Sequence, residues 1–463
     1  MQCAASGNGG TNMMTESQKS KLAEYTAAKA SCPARERLAA LFDDGVFTET
    51  ASGRNEGVVT AYGYINGCPA YAFSQDSTVS KGAVSKAHSE KICRMFDLAA
   101  KNGVPVVGIY DSCGAFIEDG AAALNAYSEI LLEAGNLSGV VPTVSVVSGV
   151  CAGSMAVIAC AADYVVMTEK AELYAAAGGD TSVKAAVESG AVSASAADDA
   201  EAMESVRKYL SLMPQNNLSP LPEFEFDAPA AASFATAKDS IGAIADDGSV
   251  LELRAGFGKA SVTALCTVGG TTAGIAALDK AAGRLTADDC AKIAGFVRLC
   301  DAFSVPVITV VDTEGFDMGG AESVRAAARL SGVYADATCA KIAVISGKAC
   351  GAAFIAFAGK NAAADQVFAL PEAVIAPVDP VTAAEFLYHD KLKGASDLAA
   401  ERNKLAAEYA ESEASAFAAA EKGAVDEVIT AENVRTAVAG VLDITAGKRL
   451  NKRLPKKHSV LPL

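Results

Sequence analysis

An α/β fold built from two copies of one unit is what this 463-residue sequence predicts. The first observation is Val144–Ile158. There an apolar, β-branched run (Val144, Val146, Val147) meets Ser148-Gly149, and Ala152-Gly153-Ser154 opens an alanine-rich helical pattern. That pattern reads as a buried strand, a tight turn and a helix start. The second observation is its return 200 positions later, as Val344-Ile345-Ser346-Gly347-Lys348-Ala349-Cys350-Gly351-Ala352-Ala353. The third is a preceding pair of turns. Val104-Pro105-Val106 leads to Asp111-Ser112-Cys113-Gly114-Ala115, and Val305-Pro306-Val307 leads to Asp312-Thr313-Glu314-Gly315-Phe316. Gly114 precedes Gly153 by 39 positions and Gly315 precedes Gly351 by 36, so each copy carries two turns in the same order.

Small residues at such turns leave backbone N–H groups uncovered, and a helix start adds partial positive charge. Both features suit an oxyanion. Bulk properties narrow the class. A hydrophobic fraction of 51% describes a well-buried globular chain, and a net charge of −16 argues against nonspecific nucleic-acid binding. The 12 cysteines contain no C-x-x-C, so they read as buried thiols of a reducing compartment rather than a zinc ribbon. No other cluster has metal-ligand spacing, and no metal is expected. The N-terminus lacks the parts of a signal peptide, and the uncharged stretch 135–162 is broken by Pro142, glycines and serines. A soluble cytoplasmic protein is expected.

Taken in order, residues 1–20 are polar and expected to be mobile. Lys19 to Phe42 reads as one helix, ended by Asp43-Asp44-Gly45. Gly57 to Phe73 reads as paired strands turning at Asn66-Gly67, and an amphipathic helix follows from Ser85 to about Asn102. A β-α-β rhythm then runs to Met167, and a helical segment ends near Met213. Residues 214–235 hold four prolines and little periodicity, which places a boundary near 225 between domains at 21–225 and 226–447. The second copy opens with Asp246-Asp247-Gly248-Ser249-Val250-Leu251-Glu252, echoing Asp43-Asp44-Gly45-Val46-Phe47-Thr48-Glu49. It continues through a strand at Val262–Val268, a helix from Thr286 to Phe303 and a long helical stretch from Thr382 to Lys422. The tail at 448–463 is basic.

The order of these signals resembles the carboxyltransferase subunits of biotin-dependent acyl-CoA carboxylases, decarboxylases and transcarboxylases, over most of the chain. Ala34–Glu49, Asp76-Ser77-Thr78-Val79 with His88 and Lys91, and Asp111–Gly120 look like successive family blocks, the last resembling "DSGGARIQEG". Gly149–Ser154 resembles "GxCAGG", Asp312–Phe316 "DVPGF" and Lys348–Phe354 "KAYGGAY". Gly423–Ile429 with Arg435, and Lys456-Lys457-His458 with Pro462-Leu463, match the family's end. The resemblance implies two tandem crotonase-like domains, each a β-β-α superhelix, in a homo-oligomer between dimer and hexamer whose active sites are shared between subunits. Cys113, Phe116, Ser154, Glu314 and Cys350 depart from the family motifs, and residues 171–197 are compressed over a loop that helps cover CoA.

Carboxyl transfer between carboxybiotin and an acyl-CoA develops negative charge on the thioester oxygen and on the biotin ureido oxygen, and two duplicated oxyanion turns match that need. By resemblance, Gly153 and Ser154 serve the thioester, while Ala352 and Ala353 serve the biotin. Gly114, Ala115 and Lys81 meet the CoA substrate, Ile355 the acyl group, and Gly315, Phe316 and Gly351 the biotin. No ATP-grasp signature or Met-Lys-Met biotinylation site is found. Biotin is therefore expected on a separate carrier protein, served by a biotin carboxylase or a membrane decarboxylase subunit. Two other readings stand beside this one. One is a crotonase-type hydratase or isomerase using Glu118 with Asp119, and the other a catalytically silent scaffold. Lys86 and Lys91 share with Lys81 the choice between CoA phosphates and solvent, and Asp111 and Asp312 the choice between ligand and turn cap.

Overall fold

A computed structural model of the chain describes residues 14–27, 31–53, 56–229, 232–317, 320–448 and 458–460. Most of the 1–20 segment expected to be mobile, and most of the basic tail, lie outside the described residues. The first copy forms a sheet from β1 (Phe47–Thr50), β2 (Val58–Ile65), β3 (Cys68–Gln75), β4 (Val106–Ser112), β5 (Thr143–Ala152), β6 (Tyr164–Thr168), β7 (Glu172–Tyr174) and β8 (Ala194–Ala196). The second copy supplies β9 (Leu251–Leu253), β10 (Ser261–Val268), β11 (Thr271–Leu278), β12 (Val307–Val311), β13 (Lys341–Ile345), β14 (Lys348–Cys350), β15 (Gln366–Ala369), β16 (Val374–Ala376) and β17 (Glu427–Val428).

The pairing repeats as closely as the sequence does. The order β1-β2-β3-β4-β5-β6-β8 is mirrored by β9-β10-β11-β12-β13-β15-β17. A short parallel pair then stands off each sheet, β7 on the end of β5 and β14 on β16. The inner strands β4, β12 and β13 are buried along their whole length. Helices cover both faces of a sheet of this kind, so such strands read as continuous apolar runs rather than alternating ones. One hydrophobic cluster runs from Ala34 and Tyr209 of the first copy to Leu265 and Phe357 of the second, tying the two sheets together.

The echoed Asp-Asp-Gly segments have a structural reason. The hairpins turn at Asn66-Gly67 and Gly269-Gly270, all four residues with positive φ, as a two-residue turn of this hand requires. The Asp43 carboxylate accepts the N–H groups of Asn66 (3.1 Å) and Gly67 (2.8 Å). Asp246 does the same for Gly269 (3.0 Å) and Gly270 (2.8 Å). Each aspartate is then paired with an arginine, Asp43 with Arg207 at 2.7 Å and Asp246 with Arg435 at 2.6 Å.

Three sequence expectations are corrected. The helix expected over 19–42 is two, Glu16–Ala27 and Pro33–Leu41, because Cys32 is extended and Pro33 starts a new helix as its first residue. The helical stretch expected at 382–422 is four helices, Pro380–Leu387, His389–Lys393, Leu398–Ser412 and Ala416–Glu421, the last two capped by the side chains of Asp397 and Ser415. The tight turn expected at Ser148-Gly149 lies instead at Gly153, since β5 runs unbroken to Ala152. Gly149 is small for another reason: a Cβ there would lie 2.2 Å from Asp111 Oδ1.

Candidate active site

Each copy builds its site from two turns side by side. In the first, Gly153 (φ 65°, ψ −136°) bends the chain out of β5 into the helix Ser154–Ala159. In the second, Gly351 (φ 55°, ψ −125°) starts the helix Ala352–Ala358. Only glycine adopts this conformation without strain. The glycine N–H groups are themselves spent, Gly153 donating to Tyr174 O (2.8 Å) and Gly351 to Ala376 O (2.9 Å). What each glycine supplies is therefore the bend. The free donors are the N–H groups of the following residues, which a helix leaves without internal acceptors. Ser154 and Ala352 are exposed, whereas Met155 and Ala353 next to them are buried.

The neighbouring turn is duplicated just as closely. Ser112 Oγ accepts the N–H of Gly114 (3.2 Å), and Thr313 Oγ1 that of Gly315 (3.1 Å). Val84 clamps the first turn, donating to Gly114 O and accepting from Phe116 N, and Leu285 clamps the second between Gly315 O and Asp317 N. In these parallel bridges the Ala115 and Phe316 amides point away from the clamping residues. Asp111 and Asp312 tie each turn to distant parts of the chain. Asp111 accepts from Arg37 (3.0 Å) and Ser77 (2.8 Å), and Asp312 from the Lys348 amide (2.8 Å).

Around the first turn lies a cleft of about 520 Å³ lined by Ser80, Ser85, Lys86, Phe116 and Asp119. Lys81 adjoins it, exposed, in a left-handed bend (φ 54°) whose carbonyl accepts the Cys113 N–H. Lys91 does not reach it: its ammonium is buried and donates to Val58 O at 2.6 Å. Glu118 is exposed, and Asp119 caps the Lys86 amide at 3.0 Å. His88 is fully buried, and that burial, with Lys91 adding to it, brings its pKa down to about 3. It is a neutral core residue.

At the second turn Glu314 is bracketed by lysines, Lys348 at 2.6 Å and Lys280 at 3.4 Å, and Lys348 also binds Asp379. The hydrogen bond from Lys348 leads the effects that hold the Glu314 carboxyl below the usual range. Ile355 is 64% exposed one turn beyond Ala352, and Val157 is 54% exposed at the matching place beyond Ser154. Each donor thus faces solvent beside an apolar side chain. The two sites lie in different sheets, the first carried by β4 and β5 and the second by β12 and β14. Among the described residues no cluster of metal ligands occurs, and no helix is long and apolar enough to cross a membrane.

The carboxyl transferase domain family matches residues 27–461 of the chain. The chain belongs to the carboxyl transferase family. This carboxyltransferase is 34% identical to the methylmalonyl-CoA decarboxylase subunit alpha of Propionigenium modestum, over 96% of the chain and 95% of that protein. It is likewise 34% identical to the propionyl-CoA carboxylase beta chain of Cereibacter sphaeroides, over 93% of each. It superposes on the transcarboxylase 12S hexamer crystal structure, with methylmalonyl-coenzyme A and methylmalonic acid bound, at a TM-score of 0.92. Identity there is 30%, and the match covers 98% of the chain and all of that one. The expected crotonase-like α/β fold in two domains, and the expected activity as a biotin-dependent acyl-CoA carboxyltransferase, both stand.

Two further residues of the candidate site were not singled out from the sequence. Met155 is the counterpart of Ala353, a register visible once Gly153 is laid on Gly351. Arg284, whose Nη1 donates to Glu314 O at 2.8 Å and so steadies the second turn, carried no signal in the sequence.

Proposed function

We propose that this carboxyltransferase moves CO2 between biotin borne on a separate carrier protein and a short-chain acyl-CoA, acetyl or propionyl in one direction and malonyl or methylmalonyl in the other. The observation that carries the reading is the duplicated bend at Gly153 and Gly351, each followed by an exposed helix-start N–H beside an apolar residue. Two such holes answer the two oxygens on which charge grows. In this reading Ser154, set by Gly153, holds the thioester oxygen, with Ala115 and Gly114 completing its turn and Lys81 available to a CoA phosphate. Ile355 limits the acyl group. Ala352 and Ala353, with Gly351, Gly315 and Phe316, hold the biotin ureido oxygen. Ala352 and Ala353 fit the group because their helix-start amides lack an internal acceptor and their side chains are small, while Gly351 and Gly315, whose own N–H groups are bonded, supply the bends. Biotin, when bound, supplies the ureido nitrogen that carries CO2, so no side-chain base is required of a chain with three histidines.

The site is proposed to be completed by a second copy of the chain. Helix Ala121–Leu137 packs on Ser154–Ala159, and helix Ala321–Asp336 on Ala352–Ala358. Both present apolar side chains to solvent, Leu124 at 64%, Leu132 at 62% and Val324 at 71%. An exposed apolar face of this kind marks an interface. We further propose a division of the chain near residue 225, a cytoplasmic location, and a biotin carboxylase or membrane decarboxylase subunit as the other partner.

The test is to incubate the purified chain with malonyl-CoA or methylmalonyl-CoA and free biotin. Biotin-dependent release of CO2 is expected, lost in Ser154→Pro. Thioester binding without turnover in the intact oligomer would overturn the reading.

A further inference from the structure

A second cavity, of about 540 Å³, lies between the two copies and touches neither oxyanion turn. Gly139, Asp163 and Ser193 line it from the first copy, and Arg254, Lys292 and Gly295 from the second. Arg254 is held there in a left-handed backbone conformation (φ 54°), its N–H donating to Ser193 O at 2.8 Å. A non-glycine residue in that region is strained by about 1 kcal/mol or more, and such strain persists where the surroundings impose it. Its Nε is buried with no partner, and no carboxylate among the described residues pairs with its guanidinium. Burial alone pulls Arg254 below the usual arginine range.

The surroundings are shaped to the guanidinium. A Cβ on Gly295 would come within 3.2 Å of Nη1, so the glycine leaves room for it. The carboxylates at the cavity wall are largely engaged. Asp163 accepts from the Thr143 amide and hydroxyl, both at 2.8 Å, and Asp301 from the Thr338 hydroxyl and the Cys339 amide, both at 2.9 Å. Asp336 also lines the wall. Lys292 stands near with its ammonium on Ser261 O (2.7 Å) and Gly258 O (3.3 Å), and burial brings its pKa down to about 8 against the opposing pull of Glu252 and Asp289. A desolvated cation without a counter-charge is costly, and a guanidinium is satisfied best by a planar or tetrahedral oxyanion bound through two N–H groups.

We propose that this interdomain cavity is a binding site for a small oxyanion, a phosphate or carboxylate group seated on Arg254. The test is calorimetric titration of the intact protein with inorganic phosphate and with malonate, in chloride buffer at fixed ionic strength. Saturable binding of one of them is expected, and which one binds assigns the ligand as a phosphate or a carboxylate. Arg254→Gln should weaken it at least about tenfold, as loss of a charged hydrogen-bonding pair does. Gly295→Val, which pushes on Nη1, should weaken it too and keeps the test open if Arg254→Gln fails to fold. Saturating coenzyme A should leave the titration unchanged. Absence of saturable binding, equal affinity in both variants, or displacement by coenzyme A would overturn the proposal.

Discussion

Gly153 and Gly351 do the same work at residue scale, and their first helical neighbours can be tested without disturbing the bend. Proline is tolerated at the first position of a helix and lacks an N–H. Ser154→Pro and Ala352→Pro should therefore delete one donor each while keeping the fold. We expect turnover to fall about 100- to 1,000-fold, with circular dichroism unchanged. Gly351→Ala should be worse for stability than Gly153→Ala. Both strain the backbone, but only the first also brings a Cβ within 3.0 Å of Pro377 O. Comparing their melting temperatures checks the order.

His88 gives a pH prediction at the same scale. The folded ring takes a proton only near pH 3, whereas an unfolded histidine does so near 6.5, so acid favours the unfolded chain. From pH 7 to pH 4 the wild type should lose about 3 kcal/mol more than His88→Gln, at about 1.4 kcal/mol per pH unit below 6.5. Urea unfolding across that range measures it, and a constant gap between the two proteins would refute the buried, neutral ring.

The element scale is governed by the aspartate-anchored hairpins. Asp43 and Asp246 make the same bonds, but their side chains are 29% and 2% exposed. Removing one partner of a buried ion pair costs about 3–5 kcal/mol, while an exposed pair contributes about 1 or less. Asp246→Ala should therefore destabilise by several kcal/mol and Asp43→Ala by much less, read by chemical denaturation. These hairpins were legible beforehand, because Asn-Gly turns and the repeated Asp-Asp-Gly are local signals. The break of the expected 382–422 helix was not. Tyr388 is an ordinary helix residue in a local reading, and it ends a helix here where Ala384, Leu392, Leu405 and Ala406 fold back into a small core of their own, while Ser415 starts the last helix as its cap.

For the whole molecule, the apolar faces of the helices beside the two sites predict assembly. Leu124→Glu with Leu132→Glu should keep the fold yet dissociate the oligomer and abolish transfer, seen as a smaller mass by light scattering with unchanged circular dichroism. An unchanged mass would place the interface elsewhere.

The sequence by itself determined the duplication, the α/β class, the paired turns and the family, because each is written in short-range patterns of glycine, apolar runs and spacing. Only the tertiary structure decided which amides are free. Whether Gly153 donates or merely bends depends on Tyr174, Lys91 is withdrawn by Val58, and Arg254 finds its space at Gly295. Hydrogen-bond partners brought together from distant parts of the chain follow from packing, and local spacing carries no record of them.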